Sequence, residues 1–102
     1  MNEYIYVIRP TRVEMLIEST PEEDAITMAH FEYLKGLADE GVMLLAGRTL
    51  TTGEQSFGIA IFQAESDEAM QAIAVNDPAV KQKQFRAELY PYRIALLDAG
   101  NV

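Results

Sequence analysis

Hydrophobic and polar positions in the first part of the chain follow two different periods. Residues 3–9 (EYIYVIR) are rich in aromatic and β-branched side chains and stop at Pro10, which predicts a β-strand. Residues 10–19 have no clear period, and a loop or a single helical turn is expected there. From Pro21 onwards apolar side chains recur at helical spacing and predict one buried stripe. The stripe consists of Ile26, Ala29, His30, Tyr33, Leu34 and Leu37.

Both ends of this helix carry recognisable signals. Thr20 is a typical N-cap, Pro21 suits the first helical position, and Glu23 completes a capping box with Thr20. Gly41 is placed to terminate the helix. The helix is therefore well delimited, and His30 faces the core in this interpretation.

The second part of the chain repeats the strand and helix signals. Residues 42–49 (VMLLAGRT) and 56–64 (SFGIAIFQA) predict strands joined by a turn-rich connection. Residues 66–77 predict a shorter helix capped by Ser66. Residues 87–97 (AELYPYRIALL) predict a last strand, in which Pro91 indicates a sheet edge or a bulge.

The order β-α-β-β-α-β predicts an α+β fold of the ferredoxin-like, split βαβ type, with an antiparallel sheet and both helices on one face. The 102 residues suit a single domain spanning 1–102, with 97–102 as a tail. Strict alternation would place Val42, Leu44 and Ala46 on one face, and Met43 and Leu45 on the other.

The third strand is also apolar on both faces, because Phe57, Ile59 and Ile61 alternate with Gly58, Ala60 and Phe62. Two helices can cover only one face of the sheet. A second copy of the same sheet is the simplest cover for the other face, which predicts a homodimer through the sheet.

Charge and composition limit the classes of binding partner and of metal or cofactor site. Sixteen acidic and eight basic residues give a net charge of −8, which argues against binding to nucleic acid or to an anionic membrane. With no cysteine and one histidine, disulfides, thiolate nucleophiles and multi-histidine metal sites are excluded within one chain, and no metal or cofactor is expected. The N-terminus does not resemble a signal peptide and no segment is a candidate membrane span, so a cytoplasmic location is expected.

Four segments together carry a resemblance to a known family: YVIRP, HFEYLKGLADEGVMLLAGRT, NDPAV and AELYPYRIALL. In this order and spacing the chain resembles the YciI-like (YCII-related) family of the dimeric α/β-barrel superfamily. The resemblance implies a ferredoxin-like subunit and a dimer. It also implies a His–Asp active site, whose chemistry is undefined for most of the family.

If the family's histidine carries over, His30 is the only position available, but two aspartates lie in matching motifs. Asp39 follows His30 by nine residues, and at about 100° per residue it falls on the opposite side of the same helix. The two helices of the fold run antiparallel on one face of the sheet. Asp77, at the end of the second helix, should therefore lie at the same height as His30. We expect Asp77 to be the partner and Asp39 to face solvent.

A carboxylate beside an imidazole sets its tautomer and stabilises its protonated form, which suits general acid–base chemistry. The first hypothesis is therefore a small cofactor-independent enzyme in which His30 and Asp77 act on a small metabolite in a lyase, isomerase or elimination reaction. The alternative is a non-catalytic homodimer that binds a small ligand or assists another enzyme, with His30 and Asp77 as a buried structural pair. A haem-ligating role for His30 is less favoured.

Three further residues are candidates for substrate binding. Arg9 and Arg48 end strands where apolar side chains give out, and either guanidinium could hold an anionic group. Tyr6 could line a pocket or donate a proton. The alternatives are surface ion pairs for the arginines and packing against the core for the tyrosine.

Overall fold

A computed structural model describes residues 1–98 of the chain. The strands are β1 (Asn2–Pro10), β2 (Met43–Arg48), β3 (Gly58–Ala64) and β4 (Phe85–Tyr92). The helices are α1 (Pro21–Asp39), α2 (Asp67–Val75) and the single turn α3 (Pro78–Lys81). A 3₁₀ turn, Val13–Leu16, occupies the segment without a clear hydrophobic period.

Helix α1 begins and ends where its capping signals predict. The Thr20 side chain accepts from the backbone N–H of Glu23, and the Glu23 carboxylate accepts from the Thr20 N–H, so the capping box is confirmed. At the other end Gly41 adopts φ +78°, a left-handed conformation that suits glycine. The N–H groups of Gly41 and Val42 then bond the carbonyls of Ala38 and Leu37, which completes a Schellman motif.

The α1 stripe is confirmed except at one position. His30 is buried, and Ile26, Tyr33, Leu34 and Leu37 are partly buried. Ala29 is exposed. Ala29 lies at the margin of the stripe, where helical periodicity allows a side chain to face either the core or solvent. Exposure of its small methyl group costs little free energy.

The four strands form one antiparallel sheet in the order β2-β3-β1-β4, with the helices on one face. This confirms the predicted ferredoxin-like α+β fold. Between the sheet and the helices lies a core cluster of buried side chains: Tyr4, Tyr6, Ala60, Phe62, Ala64 and Met70. Burial of these apolar side chains is the main force that holds α1 and α2 on the sheet.

Strand β2 departs from the predicted alternation. Its register opposite β3 shifts between Met43 and Leu45, where a β-bulge or irregularity leaves Leu44 unpaired. Because residues directly opposite each other share a face, Met43 and Ala46 both lie on the helix-covered side with their partners Phe62 and Ala60. The prediction that Met43 and Ala46 occupy opposite faces is therefore wrong.

The other face of the sheet has an apolar centre, with Glu3, Arg9 and Glu88 towards its margins, and no helix among residues 1–98 covers it. In the β1–β3 register Ile5 lies opposite Ile61 and Val7 opposite Ile59. Leu45 of β2 joins them on this face. We call this surface, made of Ile5, Val7, Leu45, Ile59 and Ile61, the open face.

Strand β4 is an edge strand, which explains how it accommodates Pro91. It begins at Phe85, earlier than predicted, and ends at Tyr92, so residues 93–97 are not part of the strand. Of the predicted tail 97–102, residues 99–102 lie outside the described residues.

Helix α2 begins, as predicted, at a Ser66 N-cap whose hydroxyl accepts from the Ala69 N–H. It ends at Val75, and a second start follows at once with Asp77 as N-cap and Pro78 as the first residue of α3. Within residues 1–98, no helix combines the length and the apolar character that crossing a bilayer would require.

Candidate functional site

A cleft of about 380 Å³ lies between helix α1 and the β2–β3 part of the sheet. The helix contributes Thr27, His30, Phe31 and Leu34 to its walls, and the sheet and its connections contribute mostly apolar or small residues. A cleft of this size suits a small molecule of metabolite dimensions.

His30 and Asp77 meet at the inner wall of this cleft. The Nδ1 atom of His30 lies 2.9 Å from Oδ1 and 2.8 Å from Oδ2 of Asp77. The Asp77 side chain is 1% exposed, whereas that of His30 is 11% exposed and lines the cleft. The imidazole is thus anchored on one side and accessible on the other. Its ring also packs edge-on against Phe85, with centroids 5.2 Å apart.

The buried Asp77 carboxylate is well supplied with donors. Besides His30, it accepts from the backbone N–H of Ala79 at 2.9 Å, as the N-cap of α3, and from the Tyr6 hydroxyl at 2.8 Å. A buried charge is tolerated when such donors replace its lost hydration. The Asp-Pro sequence therefore fixes the carboxylate through local capping, and the sheet and α1 supply the remaining donors.

Tyr6 is confined to this network. Its side chain is buried against Phe62 in an edge-to-face contact, and its hydroxyl donates a hydrogen bond to Asp77. Burial, and secondarily the hydrogen bond to Asp77, raises the pKa of Tyr6 above its ordinary value of 10.0. The role of Tyr6 in substrate binding stays a prediction: Tyr6 lines the cleft, and its hydroxyl is engaged by Asp77. Tyr6 holds the carboxylate that holds His30.

These contacts determine which ring nitrogen of His30 faces the cleft with a lone pair. A carboxylate accepts but does not donate, so Nδ1 carries the proton and Nε2 of the neutral ring does not. Nε2 has no hydrogen-bond partner among residues 1–98. It is also not one of the fully buried polar atoms without a partner, so it retains some exposure. An accessible, unprotonated Nε2 can accept a proton from a bound molecule, and the imidazolium can return it.

The two arginine candidates lie in different places. Arg48 lines the cleft. Arg9 does not: its Nε lies 3.3 Å from a Glu88 oxygen, and its guanidinium stacks over Phe57 at 5.4 Å from the ring centroid. The interpretation of Arg9 as a surface ion pair fits this position, and the structure does not bring it to the site. Arg9 lies on the face of β1 that also carries Ile5 and Val7, away from the cleft. The predicted strand boundaries alone did not specify this face.

Asp39 pairs with Lys35 and not with His30. Its carboxylate is 3.7 Å from the Lys35 ammonium in an i,i+4 pair, and both side chains are largely exposed. It therefore lies, as expected, on the solvent side of α1.

Sequence reasoning missed a group of hydroxyls at the cleft. Thr49, Thr51 and Ser56 line it, and their oxygens form a chain with separations of 2.9 and 2.7 Å. They lie in the turn-rich β2–β3 connection, where threonine and serine are expected for turn formation. That expectation concealed their position at the cleft.

Residues able to hold a metal ion are not grouped in the described part of the chain. Within it, three or more His, Asp or Glu side chains do not come together anywhere in a suitable arrangement.

Comparison with solved structures places the fold among known proteins. 5-Chloro-2-hydroxyhydroquinone dehydrochlorinase (TftG) from Burkholderia phenoliruptrix AC1100, in complex with 2,5-dihydroxybenzoquinone, is similar with a TM-score of 0.65 and 22% identity. The alignment covers 88% of this chain and 93% of that one. The uncharacterized protein TM1266 from Thermotoga maritima is similar with a TM-score of 0.57 and 10% identity, over 89% of this chain and 95% of that one.

No curated protein matches the sequence. The YCII-related domain family, in contrast, matches residues 4–92, which is most of the chain. The protein therefore belongs to the YCII-related domain family.

Proposed function

We propose that this protein is a small-molecule enzyme in which Nε2 of His30 moves a proton on the bound molecule, with Asp77 orienting the imidazole and setting its tautomer. One observation carries the proposal: Nδ1 is held by a buried carboxylate, while Nε2 has no hydrogen-bond partner among residues 1–98 and His30 lines a cleft. A histidine that served packing alone would gain stability from a second partner on Nε2. Here that position is left for a ligand.

The reaction class follows from what the site offers. The cleft side chains supply a base, hydroxyls and a guanidinium, which suits proton abstraction followed by elimination or isomerisation. The name of the Burkholderia protein describes a dehydrochlorination, which is an elimination, and this supports the same class here. The shared fold alone does not transfer a substrate.

The open face supports a homodimer as part of this proposal. In the single subunit Leu45 is exposed and Ile5, Val7 and Ile59 are half-buried, and a second copy of the same sheet would remove their remaining apolar surface from water. The cleft lies on the other, helix-covered side, so dimerisation leaves His30 accessible within its own subunit.

The first experiment is a pH titration of the His30 ring by NMR. Since His30 is the only histidine, its signals identify themselves in protein without a histidine tag. Reversible movement of the ring signals with pH, in folded protein, is the expected result. A ring that stays unchanged until the protein unfolds in acid would mean a sealed structural histidine and would end the enzyme proposal.

A second experiment tests proton transfer without knowledge of the product. Small carbonyl compounds are incubated with the protein in D₂O, and loss of C–H signal is followed by NMR. Wild type should accelerate exchange for at least one compound, and His30→Gln should not. Binding without exchange, with an accessible His30, would instead favour the non-catalytic ligand-binding alternative.

A further inference from the structure

The cleft beside His30 has a mostly apolar lining that becomes polar at one end. Its apolar residues include Phe31 of α1, Ile8 of β1 and Phe85 of β4. Where β2 leaves the sheet, the lining changes to Arg48 and the hydroxyls that follow it. A ligand that fills the cleft would therefore meet the imidazole and a permanent positive charge together.

Arg48 and His30 line the same cleft, and the sheet register places Arg48 two strands across and one row along from Tyr6. Arg48 lies opposite Gly58, which lies opposite Ile8, and Tyr6 is two residues before Ile8 on the same face. Rows two residues apart on one face are separated by roughly 7 Å. A Cβ at Gly58 would lie 3.2 Å from Ile8, so glycine avoids a close contact within the row that joins Arg48 to Ile8.

Arg48 has no carboxylate partner within the described residues, although the chain contains 16 acidic and only 8 basic residues. Arg9 and Arg12 are each hydrogen-bonded to a glutamate, whereas Arg86 and Arg93 also have no carboxylate partner within residues 1–98 but do not line the cleft. An arginine that has no carboxylate partner in so acidic a chain, and that lines a largely apolar cleft, retains its capacity to bind an anion.

The backbone beside Arg48 is firmly placed. The Thr49 N–H bonds the Phe57 carbonyl at 2.9 Å, and the Phe57 N–H bonds the Thr49 hydroxyl at 3.2 Å. The hydroxyls of Thr51 and buried Ser56 continue this network. Arg48 is thus carried on an ordered strand end, and the neighbouring hydroxyls can orient an oxygen of the ligand.

We propose that Arg48 binds an anionic oxygen of the substrate, so that the substrate is a small, mainly apolar organic anion such as an aromatic carboxylate. This inference rests on the proposed function, because it concerns the same cleft and names the class of molecule on which His30 acts. The guanidinium selects the negative charge, and the apolar lining of the cleft accepts the carbon skeleton.

The test compares acids with their neutral isosteres. Benzoate, phenylacetate and 2-naphthoate, each with its primary amide, are titrated into the protein and followed by NMR chemical shifts. In wild type at least one acid should bind about tenfold more tightly than its amide, as expected for one charge-assisted contact. Arg48→Gln should abolish this preference, and Arg48→Lys should retain part of it.

Arg86→Gln is the matched control, because Arg86 is exposed, does not line the cleft, and loses the same single charge. It should keep the preference for acids. Equal binding of acids and amides, absence of binding by all three acids, or the same loss in Arg86→Gln would overturn the proposal. His30→Gln should still prefer the acids, so failure of the acid–base proposal remains distinguishable from failure of this one.

Discussion

Nδ1 of His30 lies 2.8 Å from Oδ2 of Asp77, although 47 positions separate the two residues in the chain. Asp77 binds this nitrogen with a carboxylate that also caps α3 and accepts from Tyr6. The contact therefore links α1, α3 and β1 at one buried point. It sets both the orientation of the imidazole and its tautomer.

Replacing Asp77 with Asn should impair proton transfer far more than stability. The Asn carbonyl can still cap α3, but its NH₂ group then faces His30 and forces Nδ1 to become the acceptor. The proton moves to Nε2, which can no longer act as a base. We expect a loss of about 10²–10⁴-fold in any activity and destabilisation of about 1–3 kcal/mol.

Long-range ¹H–¹⁵N correlation of the His30 ring measures the tautomer directly, without a substrate. Asp39→Asn is the matched control, because it changes an exposed aspartate on the outer side of α1. It should leave the tautomer as in wild type. An unchanged tautomer in Asp77→Asn would contradict the assigned role of Asp77.

Replacing Tyr6 with Phe should destabilise the protein in a pH-dependent manner. The raised pKa of Tyr6 contributes stability that is fully present below the unfolded value of 10.0 and is lost as the pH rises further. The phenylalanine variant lacks this contribution and one hydrogen bond to a buried carboxylate, which costs about 1–3 kcal/mol at neutral pH. The difference from wild type should therefore shrink above pH 10.

Urea unfolding at pH 8 and above pH 10 provides this measurement. Tyr33→Phe is the control for the His30 ring signals, because the Tyr33 hydroxyl bonds the Ile73 carbonyl instead of Asp77; the raised pKa of Tyr33 gives its variant a pH dependence of the same sign. It should lower stability without disturbing the His30 ring signals, whereas Tyr6→Phe should shift them. Identical effects of the two variants on those signals would contradict a positioning role for Tyr6.

Replacing Glu23 with Gln should reduce the sensitivity of the fold to acid. Hydrogen bonding to Arg12, and secondarily to the Thr20 backbone, lowers the pKa of Glu23 from 4.5 to about 2. A lowered pKa contributes stability above the unfolded value that is lost as the pH falls from 4.5 towards 2. The Gln variant should be the less stable protein at pH 7, and the two proteins should converge near pH 2.

Thermal unfolding followed by circular dichroism over this pH range gives the comparison. Glu22→Gln removes the same charge from the same helical turn on an exposed position, without the contact to Arg12. Its stability should fall in acid as that of wild type does. If the stability of Glu23→Gln and of Glu22→Gln depended on pH in the same way, the contact of Glu23 with Arg12 would not be the cause.

Replacing Val7 with Lys should dissociate the proposed dimer while leaving the subunit folded. Val7 lies on the open face opposite Glu88, so a lysine there finds a favourable cross-strand partner in a single subunit. In a sheet-to-sheet dimer the same ammonium would be buried, at a cost of several kcal/mol. Sedimentation equilibrium should give a mass near 11.4 kDa for the variant and twice that for wild type.

Ala29→Lys, at an exposed position of α1, is the matched control for the added charge and should remain dimeric. A wild-type protein that is monomeric at the same concentrations would refute the sheet-to-sheet dimer, as would a Val7→Lys variant that stays dimeric.

Sequence patterns determined those features that depend on near neighbours. The α1 capping box, the role of Gly41, the Ser66 cap and the order of the elements all arise from contacts within a few residues, which local sequence specifies. The pairing of His30 with Asp77 rather than Asp39 was also accessible, because helix periodicity and the topology of the fold restrict where each side chain can lie.

Only the tertiary structure decided the features that depend on strand register and on packing between distant elements. The register shift after Met43 changed which β2 side chains face the helices, and no local pattern marks such a shift. Arg9 and Arg48 looked equivalent as strand-end cations, yet one pairs with Glu88 and the other lines the cleft. Tyr6 contacts Asp77 because the sheet, α1 and α3 meet at this point. Both side chains are buried there, and the Tyr6 hydroxyl donates to the Asp77 carboxylate.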